Sequence, residues 1–211
     1  MNAEIQHQSW RERWQTGRTG WDQGGAHSAL LDLLKASERY GLTLQGAHIL
    51  EPACGRAHNG AVLAGLGAHV VSFDVAPEAV REAKSLYGHQ VRLLIEEHDA
   101  FKIRPDWIDR FDAVFDRAAL CALGRDLRPL YLESAFHHLK PRGLVLSIPF
   151  TEVYGDPEAG PPFPIPLREF IALMEPRFEL VFASDWRNLS PELGRVSREM
   201  MMIWRKCSVS P

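Results

Sequence analysis

The 211-residue chain predicts an α/β domain: a doubly wound, mostly parallel seven-stranded sheet with an antiparallel edge pair and an N-terminal helical lid. Three observations carry that expectation. Short apolar runs rich in β-branched and aromatic residues recur between turn formers, as buried strands do. Segments of helical periodicity alternate with the first five runs, and right-handed crossovers between parallel strands put such helices on both sheet faces. The last two runs have no crossover helix between them, so they pair antiparallel.

Taken in order, residues 1–41 precede the alternation. Trp10 and Trp14 are four apart and share a face if the segment is helical. Gly17 and Gly20 supply hinges ahead of Trp21. "HSALLDLLKASERYG" carries Leu30, Leu31 and Leu34 at helical spacing and stops on Gly41. The core, 47–211, then runs through "AHIL", "HVVSF", "VRLLI" at 91–95, "FDAVF" at 111–115 and "GLVLSI" at 143–148 as strands. Helices are expected over Ala57–Leu66, Pro77–Tyr87 and Asp126–Leu139, the second opened by Pro77 and closed by Gly88. "FELVFASDW" and "REMMMIWRK" form the edge pair. No repeat, low-complexity tract or linker divides the chain, so 1–211 reads as a single domain.

Composition narrows the partners. Hydrophobic residues at 45% and charged residues at 24% suffice for a full core. A formal charge of -3 argues against nucleic acid or an anionic membrane and for a small-molecule ligand; a monomer is expected. No apolar stretch approaches the ~18 residues of a membrane span, and "MNAEIQHQSWRERW" lacks a signal-peptide core, so a cytoplasmic protein is expected. Cys54, Cys121 and Cys207 show no metal-ligand spacing, and their odd number speaks against a disulfide framework.

Open α/β sheets bind ligands at the carboxyl ends of their strands. The first strand leads into "ILEPACGRAHNG", where Gly55, between the small residues Ala53 and Ala57, lets a ligand approach the backbone. A dinucleotide fingerprint would need G-x-G-x-x-G; this turn has one glycine, and Glu51 favours a cation over a pyrophosphate. Asp74, nineteen residues beyond Gly55, suits both hydroxyls of a ribose. Asp99 suits an exocyclic amine and Ala100 offers backbone, although Asp99 reads equally well as a turn residue. Together these describe an adenosine with a cationic appendage, S-adenosyl-L-methionine.

Further motifs carry a family resemblance: the tryptophans at 10, 14 and 21, "TGWDQG", "P-A-C-G", "FDAVFDRAALCAL", "LKPRG" and "AGPPFPI". In this order the chain resembles the class I methyltransferases of the thiopurine S-methyltransferase family, related to halide and thiol methyltransferases. The resemblance implies S-adenosylmethionine as cofactor and a flap in which Trp10, Trp14 and Trp21 enclose it above Ala53, Asp74 and Asp99. It implies Arg117 at both cofactor and acceptor, and a proline-rich wall around the acceptor with Phe163 as a lining residue. The expected activity is methyl transfer to a small thiol or thiopurine, with halide or thiocyanate as the alternative acceptor. An NAD-type oxidoreductase and a noncatalytic nucleoside-binding protein are the readings from other classes.

The residues themselves leave alternatives open. Trp10 and Trp14 can simply pack on the domain, although aromatic faces also attract a sulfonium, by about 0.5–2 kcal/mol each. Arg117 can raise the ionised fraction of a thiol or can merely pair with Asp112 or Asp116. His137 and His138 read as packing or surface residues, Cys54 as a small apolar group, and "MMMIW" as a buried strand.

Overall fold

The computed structural model describes residues 2–153, 161–163, 165–186 and 197–208. The chain opens with α1 (Ala3–Gln15), whose first turn is capped by Asn2 Oδ1 accepting from the Ile5 N–H at 2.9 Å. Helix α2 (Leu30–Glu38) buries Leu30, Leu33 and Leu34. The expected stripe included Leu31, but that residue is exposed, because it lies about 100° around the helix from Leu30 and Leu33 completes the three-four spacing.

The alternation follows: β1 (His48–Pro52), α3 (His58–Gly65), β2 (His69–Asp74), α4 (Pro77–Tyr87), β3 (Leu93–Glu97), β4 (Phe111–Arg117), a one-turn α5 (Ala119–Ala122), α6 (Arg128–His138) and β5 (Leu139–Ile148). Strand β6 (Phe150–Val153), helix α7 (Leu167–Met174), β7 (Phe178–Ala183), β8 (Ser197–Glu199) and β9 (Met202–Lys206) complete the described elements. The main sheet has the order β3-β2-β1-β4-β5-β9-β7. Its first five strands are parallel, and β9 pairs antiparallel with both β5 and β7. The seven strands and the antiparallel pair at one end are as expected. "REMMMIWRK" is not one strand, however: Ser197–Glu199 leaves the main sheet and pairs with β6 in a small second sheet.

Alternate strand residues feed two cores, as a sheet covered on both faces requires. Leu50, Phe73, Val114, Met202 and Trp204 join α6 and α7 on one face. Ile49, Val70, Phe115, Leu146 and Ile203 join α2 and α3 on the other. Trp204 and Phe170 are fully buried; burying each such side chain stabilises the fold by about 2–3 kcal/mol. His138 is buried and its Nε2 accepts from the Arg104 N–H at 3.0 Å. Burial pushes its pKa down to about 4, so it is a neutral packing residue.

Strand β1 lies between β2 and β4, the point at which the crossovers diverge to opposite faces. A crevice opens there beyond the carboxyl ends of the strands.

Candidate active site

That crevice is a cavity of about 470 Å³. Its floor is the ends of β1, β2 and β4 with the turns that follow, including Glu51, Ala53, Gly55, Asp74, Arg117 and Ala118. Its opposite wall is α1 and the segment after it, through Gln6, Trp10, Arg13, Trp14, Arg18, Trp21 and His27.

The β1 turn has an unusual backbone. Ala53, Gly55 and Ala57 take φ of 50°, 54° and 57°, so two alanines occupy left-handed conformations that usually fall to glycine. Ala118, at the end of β4, does the same at φ 65°. Asp74 stitches the turn together: one oxygen accepts from the Gly55 N–H and the other from the Ala76 N–H, each at 3.0 Å. The carboxyl is buried, which raises its pKa against the opposing effect of those N–H donors. Each oxygen keeps acceptor capacity on the cavity side for a diol. This pair of acceptors fits the ribose hydroxyls of S-adenosylmethionine.

Glu51 is the second buried acid. Its carboxyl accepts from Ser72 Oγ at 2.6 Å, and burial pushes its pKa up to about 7 despite hydrogen bonds from Ser72, Asn59 and the Gly60 N–H. Gly60 leaves room for these contacts, because a Cβ would fall on Ser72 Oγ and Glu51 Oε2.

The α1 wall is fastened at two points. Gln6, buried within the helix, donates to the Ala122 carbonyl at 3.2 Å and accepts from the Gly124 N–H at 3.0 Å. Asp22, in the segment after α1, pairs with Arg56 and with His58 Nε2 at 3.3 Å. Burial of Asp22 works to raise its pKa, but the hydrogen bonds from His58, Arg56 and the Gly24 N–H outweigh it and hold the carboxyl far below the usual carboxylate range. Arg56 also stacks 5.1 Å above Trp14 and pairs with Glu82.

The three tryptophans gather as the sequence suggested. Trp21 meets Trp10 edge-on at 5.0 Å and Trp14 at 5.8 Å. Trp14 is 5% exposed, so packing and cavity-lining are both true of it. Gly17 and Gly24 adopt positive φ, and Gly20 lines the cavity.

Arg117 lies on the cavity wall with its guanidinium 5.4 Å above the Phe150 ring. Its alternative partners are engaged elsewhere: Asp112 with Lys140 at 2.6 Å, and Asp116 with Tyr131 Oη at 2.9 Å. Arg117 Nη2 instead lies 3.9 Å from Glu199 Oε1, and that oxygen is 3.5 Å from His27 Nε2. Nothing along the chain marks this cluster, since Glu199 reads as one charge preceding an apolar strand.

Two expected residues lie off the cavity. Asp99 is turned to His7 Nε2 at 3.2 Å and to the Phe101 N–H at 2.9 Å, so Ala100 and Phe101 form that part of the wall. Phe163 donates its backbone N–H to the Cys121 carbonyl at 2.7 Å and is half-buried, and the neighbouring Pro161 and Pro162 line the cavity in its place. The rest of the proline-rich stretch, 154–160 and Pro164, lies outside the described residues. Cys54 lines the cavity as a thiol whose pKa burial raises well above the ordinary value, which suits an inert small group.

Comparisons with known proteins agree with this geometry. The family described as Thiopurine S-methyltransferase matches residues 5–207. Thiocyanate methyltransferase 1 of Brassica oleracea is 28% identical over 96% of this chain and 86% of its own. A thiopurine S-methyltransferase of Pseudomonas syringae pv. tomato is 30% identical over 79% of this chain and 78% of its own. The fold is shared with Burkholderia thailandensis 1,6-didemethyltoxoflavin-N1-methyltransferase, solved with S-adenosylhomocysteine, at TM-score 0.71 and 19% identity, over 97% of this chain and 88% of that one. The chain belongs to the thiopurine S-methyltransferase family and is an S-adenosylmethionine-dependent methyltransferase.

Proposed function

We propose that the chain moves the methyl group of S-adenosylmethionine to the sulfur of a small thiol or thiopurine. The observation that carries this reading is Arg117, a cation on the cavity wall whose side chain is only 11% exposed. A thiol of pKa ~8.5 is partly ionised at neutral pH, and a guanidinium beside it increases the thiolate fraction.

The bound cofactor supplies a methyl group activated on a sulfonium. In this reading Asp74 takes the ribose hydroxyls, Ala100 and Phe101 border the adenine, and the Ala53–Gly55 turn borders the methionyl chain. Trp10, Trp14 and Trp21 surround the sulfonium, which their ring faces attract although it cannot hydrogen-bond. Segment 16–27 acts as a lid held shut by Asp22. When a thiolate approaches a sulfonium opposite charges cancel, so the chain contributes positioning and exclusion of water. Pro161 and Pro162 bound the acceptor, with Phe163 behind them.

The relatives named as thiocyanate methyltransferases support a second acceptor class, a preformed anion such as thiocyanate or a halide, held by the same guanidinium. A labelled-cofactor assay over thiols, thiopurines, hydrogen sulfide, thiocyanate and halides separates the two. Methylation of thiols with loss of kcat/KM in Arg117→Ala is the expected result. No product from any sulfur acceptor, or an unchanged kcat/KM in the variant, overturns the reading.

A further inference from the structure

We propose that Glu199 receives the proton of the thiol acceptor, a role that rests on the placement of the acceptor beside Arg117 argued above. Glu199 is fully buried, and neither of its carboxyl oxygens has a hydrogen-bond partner. Such a group is costly to bury, and its compensation here is charge alone. Oε1 faces Arg117 Nη2 at 3.9 Å and His27 Nε2 at 3.5 Å. Cys121 on α5 also lies within its field, as a thiol that burial pushes up to about 12 and that stays protonated.

His27 is not the acceptor of the proton. Its Nδ1 accepts from the Ala29 N–H at 3.2 Å, so the neutral ring carries its proton on Nε2, toward Glu199. Both His27 and Arg117 line the cavity, and Glu199 stands immediately behind them. Because Glu199 does not itself line the cavity, the transfer uses a single water as proton carrier, the one water this scheme admits to the closed site.

The charges balance at each stage. Before transfer, Arg117 pairs with the Glu199 carboxylate and the thiol is neutral. The S–H bond then breaks, its proton goes to Glu199 and its electron pair stays on sulfur, so the guanidinium exchanges a carboxylate partner for a thiolate. No net charge enters the dry cavity. The thiolate pair forms the new S–C bond as the methyl group leaves the sulfonium, whose own electron pair returns to its sulfur. A preformed anion such as thiocyanate brings no proton and needs no acceptor for one.

That difference is the test. In Glu199→Gln, kcat/KM for an alkanethiol is expected to fall by about 100-fold or more, whereas an acidic arylthiol and thiocyanate should stay within about threefold. A parallel loss on thiol and thiocyanate, or no loss on either, overturns the role of Glu199 alone. Native protein that methylates thiocyanate but no thiol overturns the acceptor reading and this role together. Ultraviolet absorbance in the thiolate band of the alkanethiol bound to the adenosylhomocysteine complex reads ionisation without turnover: native protein should hold the thiolate, and the Gln variant should retain more thiol. Tryptophan quenching by adenosylhomocysteine reports folding. If the Gln variant does not fold, Glu199→Asp, which keeps the carboxylate but withdraws it by one methylene, should show the same split in weaker form; equal loss on both acceptors again refutes it.

Discussion

Replacing Glu51 by Gln makes a stability difference that should itself depend on pH. The native carboxyl titrates near 7 in the fold against 4.5 when unfolded, because burial penalises its charge. The folded state therefore keeps its proton to higher pH than the unfolded chain does. Native stability from this group is complete below about 4.5 and is lost as pH rises to about 7, at up to about 1.4 kcal/mol per unit. The total is about 3 kcal/mol, which for a chain of this length corresponds to about 6–12 °C in Tm. Glutamine stays neutral, and its carbonyl can take the Ser72 hydrogen bond. The variant should match the native protein near pH 4.5 and exceed it at pH 8. Subtracting the two Tm profiles removes other buried groups, such as Asp116, whose pKa burial lifts to about 6. A difference that stays flat from pH 4.5 to 8 refutes the reasoning. Because Glu51 lines the cavity, the variant should also bind S-adenosylmethionine more weakly while adenosylhomocysteine, which lacks the cation, changes less; calorimetry reads both.

Three other outcomes are expected. Gly60→Ala gains about 1 kcal/mol of helix propensity, but its Cβ meets Ser72 and Glu51, so a net destabilisation of about 2 kcal/mol should appear in urea unfolding. Arg142 sits at φ 65° within β5, where the register against β4 shifts, and Arg142→Gly should stabilise the protein by about 1 kcal/mol by the same measurement. Asp22→Asn removes the charge that holds Arg56 and His58; trypsin should then cut at Arg18 several-fold faster, and adenosylhomocysteine should restore protection.

Strands β1, β2 and β4 were legible because they are buried on both faces and so are written as unbroken apolar runs, as in "HVVSF", whereas edge strand β3 exposes Leu94. The wall of tryptophans was legible for a related reason, since three large rings within a dozen residues have to meet something apolar. What escaped notice depends on partners far along the chain. Strand β6 has four residues and forms only because Ser197–Glu199 leaves the main sheet to meet it. Helix α7 hides behind prolines, although Phe170 and Met174, four apart and fully buried, mark its inner face. Asp99 has the right position for an adenine contact, yet His7 on α1 claims it, and nothing within "EEHDAF" foretells that. Glu199 is the extreme case, a single acid whose meaning exists only once β8 brings it to Arg117 and His27.

The left-handed alanines have a consequence for anyone seeking a hardier version of this enzyme. Ala53 and Ala118 both border the cavity, at the ends of two neighbouring strands. Substituting glycine would relieve about 1 kcal/mol at each, so a screen that rewards heat resistance would favour both changes. With the cofactor placed as proposed above, the same changes would free the backbone on either side of it, where the methyl group has to be aimed. Thermostability and catalytic aim are opposed at these two positions, and selection for one should be checked against the other.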